Sequence, residues 1–157
     1  MTTKEPKLTK DQQELIERMG VIFEGGGLAP APARVSALLL VVPEAELPFE
    51  DISRLLNLSK SATSNALNML QTMNKVDYVT KPGERRRYFR VKIMTWKEDM
   101  VRNLQGLSAM SAAYQEVLAQ RPKTTPLFNR NLADMAAFLD YVVLEMPKLF
   151  KKWEDQL

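Results

Sequence analysis

The chain of 157 residues contains neither cysteine nor histidine. Without cysteine there is no disulfide framework, no thiolate nucleophile and no Cys-based zinc site, so a reducing compartment is the simplest expectation. Without histidine, the commonest general base and metal ligand is missing too. No carboxylate pair, and no nucleophile with a base, occurs at a usable spacing. The sequence therefore predicts a protein that is not an enzyme and that holds no metal and no cofactor.

Long apolar runs are also missing. The longest, residues 37–42, is far too short to cross a bilayer, and residues 1–10 are charged rather than signal-like. We therefore expect a soluble, cytoplasmic protein that does not bind membranes. The length favours one domain over two independent ones.

Positive charge is concentrated in the middle of the chain. Residues 59–97 hold nine Lys and Arg but only two Asp and Glu, whereas the counts are six and nine in residues 1–58 and seven and eight in residues 98–157. A solvated basic face is one explanation for such a block, and a surface that binds a polyanion is the other.

Two helices are predicted before this basic block. Thr9 followed by Gln12 has the form of a capping box, and the helix that begins there should end at Gly25-Gly26-Gly27. Pro30 and Pro32 predict a stiff connector. The second helix, residues 33–42, is apolar nearly all round and therefore belongs in the core.

A helix-turn-helix pattern follows. The first helix begins near Pro48 and is broken by Asn57, and Ser59 is a suitable N-cap for the second. The second helix has a buried stripe at helical spacing, made of Thr63, Ala66, Leu67, Leu70 and Met73. Its other side is short and polar, which allows close approach to DNA bases, although an ordinary solvated face has the same composition. The candidate DNA-binding residues of this helix are Lys60, Ser61, Ser64, Asn65 and Asn68.

Two strand-like runs, residues 76–81 and 86–93, are joined through Pro82-Gly83 and predict a two-stranded hairpin with a basic tip. Guanidinium groups at such a tip suit phosphates or a narrow minor groove, and pairing with Glu84 or with an acidic protein is the alternative. The candidate DNA-binding residues of the hairpin are Lys81, Arg85, Arg86 and Arg87. Arg34 is a further candidate for a contact to the DNA backbone.

Two long helices are predicted in the last third of the chain. Residues 96–121 carry a heptad seam, with Ser111 among its positions, in alternating steps of four and three. A last helix, kinked at Pro147, should open with Thr125 as N-cap and Pro126 as its first residue and should repeat this heptad seam, which includes Leu149. Further apolar residues widen the stripe of the last helix, which favours a second subunit as its cover over packing within one chain. The candidate dimerisation residues are Leu15, Ile22, Leu132, Met135, Leu139, Val142, Met146, Leu149 and Trp153. Five aromatic residues are candidates either for a small-molecule cavity or for plain core: Trp96, Tyr114, Phe128, Tyr141 and Trp153.

Three segments resemble the winged helix-turn-helix repressors of the MarR superfamily, most closely the GbsR-like branch. They are Ala33-Arg34-Val35, residues 55–67 (LLNLSKSATSNAL) and residues 81–89 (KPGERRRYF). The resemblance implies a homodimer, interlocked by its terminal helices, that binds an inverted-repeat operator and often responds to a small molecule. Thr63 and Asn74 depart from the family pattern, which usually has valine and glycine there.

The sequence thus predicts a mainly α fold with a small β-wing, a winged helix-turn-helix flanked by N- and C-terminal dimerisation helices. The predicted regions are an N-terminal helix and linker (1–32), the DNA-binding region (33–95) and a C-terminal helical region (96–157). The predicted function is sequence-specific binding of double-stranded DNA by a homodimeric regulator, a repressor open to a small-molecule effector. A winged-helix module that binds proteins, or DNA without sequence preference, is the alternative.

Overall fold

The structure, a computed structural model, describes residues 6–157. The chain forms two compact units, the first ending at Ile93 and the second spanning Met94–Leu157. The sequence favoured a single integrated domain because of the chain's length, whereas the structure has two units. The first five residues of the predicted N-terminal region lie outside the described residues.

The first unit combines helices with a small antiparallel sheet, and this mostly helical fold with a β-wing is the predicted class. Its elements are α1 (Lys10–Gly25), α2 (Pro30–Val41), β1 (Leu47–Pro48), α3 (Phe49–Leu55), α4 (Lys60–Thr72), β2 (Val76–Thr80) and β3 (Arg87–Val91). The strand order is β1-β3-β2, so the hairpin of β2 and β3 is extended by a third strand that the sequence did not predict. This strand is two residues long and pairs Leu47 with Phe89.

Helix α2 is the centre of the first unit, as its apolar sequence predicted. Four of its residues are completely buried: Ala33, Val35, Ala37 and Leu38. The predicted proline connector is wrong, because α2 already begins at Pro30 and contains Pro32 in its first turn. Proline suits that turn, since its fixed φ is close to helical and the first N–H groups of a helix have no partner within it.

The predicted capping box of α1 and the helix break at Asn57 are confirmed. The Thr9 hydroxyl accepts a hydrogen bond from the Gln12 backbone at 3.2 Å, and the Gln12 side chain accepts one from the Thr9 backbone at 2.9 Å. Asn57 and Asn74 have φ values of 51° and 57°, the left-handed conformation that asparagine tolerates better than most residues. Gly27 has a φ of 97° and follows the end of α1.

The second unit consists of the long helices α5 (Trp96–Gln120) and α6 (Pro126–Glu154). Pro126 is the first residue of α6, as predicted, but the Thr125 hydroxyl does not cap the helix and instead accepts a hydrogen bond from Arg121 at 3.0 Å. Helix α6 continues through Pro147. Among residues 6–157, no helix has the length and apolar character that crossing a membrane requires.

Helices α5 and α6 meet at small residues. Ser111 is completely buried and its hydroxyl donates a hydrogen bond to the Ala136 carbonyl at 3.0 Å. Gln115 extends this contact by donating to Asp140 at 3.0 Å. The heptad position of Ser111 therefore serves packing between the two helices of one chain.

Arg34 ties α2 to α1. Its Nη2 lies 3.1 Å from the Glu17 carboxylate, its Nη1 pairs with Glu24, and only 21% of the side chain is exposed. Gly20 makes room for this arrangement, because a Cβ atom there would lie 2.9 Å from the Arg34 Nε. A DNA phosphate would have to compete with these two carboxylates for the guanidinium, and the DNA backbone contact of Arg34 stays a prediction.

The Gly20→Ala variant is expected to be destabilised, although alanine usually favours a helix by up to about 1 kcal/mol over glycine. The added methyl group would force the Arg34 guanidinium away from its carboxylate partners. Gly106→Ala is the matched control, because Gly106 lies inside α5 and a Cβ atom there would have no neighbouring atom within 4 Å. Urea denaturation followed by circular dichroism should show a lower midpoint for Gly20→Ala and a higher one for Gly106→Ala. A higher midpoint for both would contradict the role assigned to Gly20.

Candidate nucleic-acid interface

Helix α4 presents a polar face to solvent. The Ser59 hydroxyl caps the helix by accepting a hydrogen bond from the Ala62 backbone at 3.1 Å. The predicted inner stripe is buried at Thr63, Ala66, Leu67 and Leu70, whereas Met73, predicted as its last member, is 44% exposed. The predicted DNA-binding residues lie on the outer face, where Lys60, Ser61, Asn65 and Asn68 are exposed and Ser64 is half-buried.

The hairpin of β2 and β3 turns at residues 81–84. Gly83 has a φ of 81°, and the Glu84 backbone N–H donates to the Lys81 carbonyl at 3.0 Å. A φ in this range favours glycine, so the turn has the residue that its backbone requires. The wing is therefore a tight hairpin whose tip carries consecutive arginines.

Several cations of the wing already have partners within the first unit. The Lys81 ammonium lies 2.6 Å from the Glu46 carboxylate and 4.0 Å from the centre of the Tyr88 ring. The hydrogen bond to Glu46 raises the pKa of Lys81. Because any phosphate would have to compete with Glu46, the structure gives Lys81 a bracing role that the sequence did not predict.

Arg87 and Tyr88 also have partners within the first unit. The Arg87 guanidinium stacks 4.6 Å from the centre of the Tyr78 ring. The Tyr88 hydroxyl donates to the Glu84 carboxylate at 2.5 Å, and this hydrogen bond raises the pKa of Tyr88. These contacts fix both sides of the segment that carries Arg85 and Arg86.

Arg85 and Arg86 are exposed, and neither guanidinium pairs with any group among residues 6–157. An unpaired guanidinium keeps all of its donors for phosphate oxygens or base edges. These two residues are therefore the cations that the wing leaves available to a ligand.

A cleft of about 390 Å³ brings the recognition helix and the wing together. From the predicted site it contains Ser64, Asn68, Arg85, Arg86 and Arg87. Lys60, Ser61, Asn65 and Lys81 do not line it. The cleft also contains Glu50 and Gln71, which were not predicted from the sequence. Glu50 belongs to α3, and the contact between α3 and the wing is a tertiary contact that the sequence does not show.

The predicted dimerisation residues divide into three groups by their exposure in the single chain. Leu132 is only 9% exposed and packs inside the second unit, so its burial needs no second subunit. Leu139, Val142 and Met146 are half-buried. The others leave large apolar surfaces exposed: Leu15, Ile22, Met135, Leu149 and Trp153.

The five aromatic candidates do not form one box. Trp96 and Trp153 meet with ring centres 5.7 Å apart, and Phe150 lies 6.1 Å from Trp96. Phe128 instead stacks with Arg121 at 4.2 Å, and Tyr141 is 61% exposed. No cluster of three or more potential metal-binding side chains occurs in the part of the chain that the structure describes.

A polar recognition helix beside a cationic hairpin is the arrangement of winged helix-turn-helix proteins, the class that this fold defines. A family model described as MmpR5-like MarR family transcriptional regulator matches residues 95–156, which is the C-terminal helical unit. The HTH-type transcriptional regulator MmpR5 of Mycobacterium tuberculosis is 24% identical over 136 residues, covering 85% of this chain and 82% of that protein.

A solved structure of a transcriptional regulator has the same fold, with a TM-score of 0.72 and 23% identity over 92% of this chain and 99% of that one. The chain is thus similar to MarR family transcriptional regulators, over residues 95–156 by the family model and over 136 residues by the relative, and it shares its fold with a solved regulator. The homologues are regulators rather than enzymes, in agreement with the prediction from the sequence. The assignment to the GbsR-like branch, which is based on the amino-acid sequence of the wing, stays a prediction.

Proposed function

We propose that this protein represses transcription as a homodimer that binds an inverted-repeat operator in double-stranded DNA. The observation that carries the proposal is the cleft shared by Ser64 and Asn68 of the recognition helix and by the arginines of the wing. Short polar side chains next to unpaired guanidinium groups combine the two kinds of contact that a specific DNA complex needs, to base edges and to the backbone. As a DNA-binding regulator, the protein would act in the cytoplasm.

The recognition helix would supply the sequence preference. Asn65 and Asn68 are exposed on α4, and an asparagine amide can pair in a bidentate manner with adenine in the major groove. The buried stripe on the opposite side holds the helix against the core, so its polar face is presented as a rigid surface. We therefore assign base contacts to Ser61, Ser64, Asn65 and Asn68.

The wing would supply affinity rather than sequence preference. Arg85 and Arg86 are unpaired at the end of a braced hairpin, so they are free to contact phosphates or a narrow minor groove. Lys60 at the start of α4 is a further candidate for a phosphate contact.

The homodimer is supported by the exposed apolar residues of α1 and α6. Ile22 is 69% exposed and Leu149 is 60% exposed, and burial of such apolar surface in an interface between subunits would be favourable in water. A twofold dimer would place two recognition helices in successive major grooves, about 34 Å apart.

An effector site is a further part of the proposal. The second unit has a groove of about 560 Å³ whose apolar lining includes Val101, Leu104, Val143 and Phe150. Its charged members are Lys97, Lys151 and Glu154, and the Lys97 ammonium lies 2.8 Å from the Glu154 carboxylate. An apolar groove with a few charged groups is a common form of ligand site. A metabolite that binds there should raise the melting temperature of the protein.

The variants Asn65→Ala and Arg86→Ala are expected to affect DNA binding differently. Asn65→Ala should relax the preference at one base pair, with a change of roughly 1–3 kcal/mol in discrimination. Arg86→Ala should weaken binding to all duplexes similarly and reduce the dependence of the binding constant on salt. Fluorescence anisotropy with a duplex selected from a random-sequence pool, and with single-base variants of it, measures both effects at several salt concentrations.

If both variants lost sequence preference to the same extent, the proposed division between helix and wing would be wrong. If the wild-type protein bound all duplexes equally, the protein would be a DNA-binding module without sequence specificity. If it bound no duplex, the cationic cleft would have to serve an acidic protein partner.

A further inference from the structure

A single carboxylate lies in the otherwise cationic DNA cleft. Glu50 is exposed in the first turn of α3 and lines the cleft together with Arg85, Arg86 and Arg87. Its carboxylate makes no hydrogen bond or ion pair with the other residues that the structure describes. Glu50 therefore differs from Glu46, which pairs with Lys81, and from Glu84, which accepts a hydrogen bond from Tyr88.

The position of Glu50 has two electrostatic consequences. In the free protein its negative charge partly neutralises the arginines across the cleft. If a duplex entered the cleft, the same charge would face its phosphates and repel them, because charges less than about 10 Å apart interact appreciably at moderate ionic strength. Both effects weaken the attraction between the cleft and DNA.

We propose that Glu50 is a fixed counter-charge that limits the general affinity of the cleft for duplex DNA. This inference rests on the proposed DNA-binding function and assigns a role to a residue outside the recognition helix and the wing. Its effect should be nearly independent of base sequence, because phosphates occur in every duplex. Such a residue would reduce the time that the protein spends on the large excess of non-operator DNA.

Removal of the charge should therefore strengthen DNA binding. For Glu50→Gln we expect the affinity for both a selected duplex and a scrambled duplex to rise by about threefold to tenfold, with a steeper dependence on salt, because the more positive cleft then displaces more of the cations condensed on the DNA. Glu50→Asp keeps the charge and should bind like the wild-type protein. Circular dichroism establishes that each variant is folded.

Glu14→Gln is the matched control. It makes the same change of charge in the first unit, but Glu14 lies on α1 with a side chain that is 57% exposed, and it does not line the cleft. The control should bind DNA nearly as the wild-type protein does, with an unchanged salt dependence. All four proteins are titrated by anisotropy with both duplexes between low and moderate salt.

The possible results separate this inference from the function on which it depends. If the wild-type protein binds DNA and Glu50→Gln matches Glu14→Gln, the counter-charge proposal is wrong while the proposed function remains. A selective loss of affinity for the selected duplex would also overturn it, since Glu50 would then be a base contact, as carboxylates are to cytosine. If none of the proteins bound either duplex, the proposed function itself would fail.

Discussion

The Leu149→Glu variant is expected to be a monomer that binds its selected duplex about 100-fold or more weakly than the wild-type protein. Leu149 belongs to the predicted heptad seam of α6 and is 60% exposed in the single chain. A carboxylate there would have to lose its water if a second copy covered this seam, and desolvation of an unpaired charge strongly opposes association. Loss of the proposed dimer would also remove the linkage between two half-site contacts, and such linkage commonly contributes about 10²–10⁴ in affinity.

The control for this experiment is Leu144→Glu. Leu144 is on the same helix and is 62% exposed, but it lies off the predicted seam. Sedimentation equilibrium at micromolar concentration should give the dimer mass for the wild-type protein and for Leu144→Glu, and the monomer mass for Leu149→Glu. Dimers in all three samples would show that the seam does not join the subunits. Monomers in all three would remove the homodimer from the proposal.

The parts of the fold that sequence analysis predicted are those with local causes. Thr9 and Gln12 are three residues apart, so their capping box can be recognised within one helical turn. Asn57 and Asn74 adopt positive φ where the hydrophobic periodicity of the preceding helices stops. Because each signal depends on neighbours in the chain, a single sequence contains enough information to place these helix ends.

The prolines in the first turn of α2 show how a local signal can favour the wrong structure. Pro30 and Pro32 have no N–H to donate, which argues against the interior of a helix but agrees equally well with its first turn. The strand β1 is a different case, because two residues are too few for any alternating pattern. Leu47 and Pro48 become a strand only through pairing with β3, some forty residues later.

The candidate site was predicted in its composition but not in its internal contacts. The cationic residues of the wing are equivalent in charge, so the sequence alone does not distinguish them. In the structure Lys81 forms an ion pair with Glu46, whereas Arg85 and Arg86 form no hydrogen bond or ion pair with any described residue. Arg34 has the charge of a DNA contact, but it pairs with Glu17, seventeen residues away. Which cation is free depends on tertiary pairing, and one sequence without structure does not reveal it.

Replacement of Leu38 by alanine is expected to lower the free energy of unfolding of the first unit by about 2–5 kcal/mol. Leu38 is completely buried in α2, the helix that packs against α1 and α4. Truncation would remove apolar contacts and leave a cavity that the surrounding helices fill only in part. Because α4 carries the proposed recognition face, the same variant should also lose DNA binding at a lower temperature than the wild-type protein.

Leu40→Ala provides a control on the same helix, because Leu40 is 41% exposed and should cost less than about 1 kcal/mol. Both tryptophans lie in the second unit, so urea unfolding of the first unit should be followed by far-UV circular dichroism rather than by fluorescence alone. A shift in the midpoint at an unchanged slope would identify a loss of native stability. Equal shifts for the two variants would contradict a core centred on Leu38, and a shift for Leu40→Ala that grows as the protein is diluted would place Leu40 in a contact between subunits.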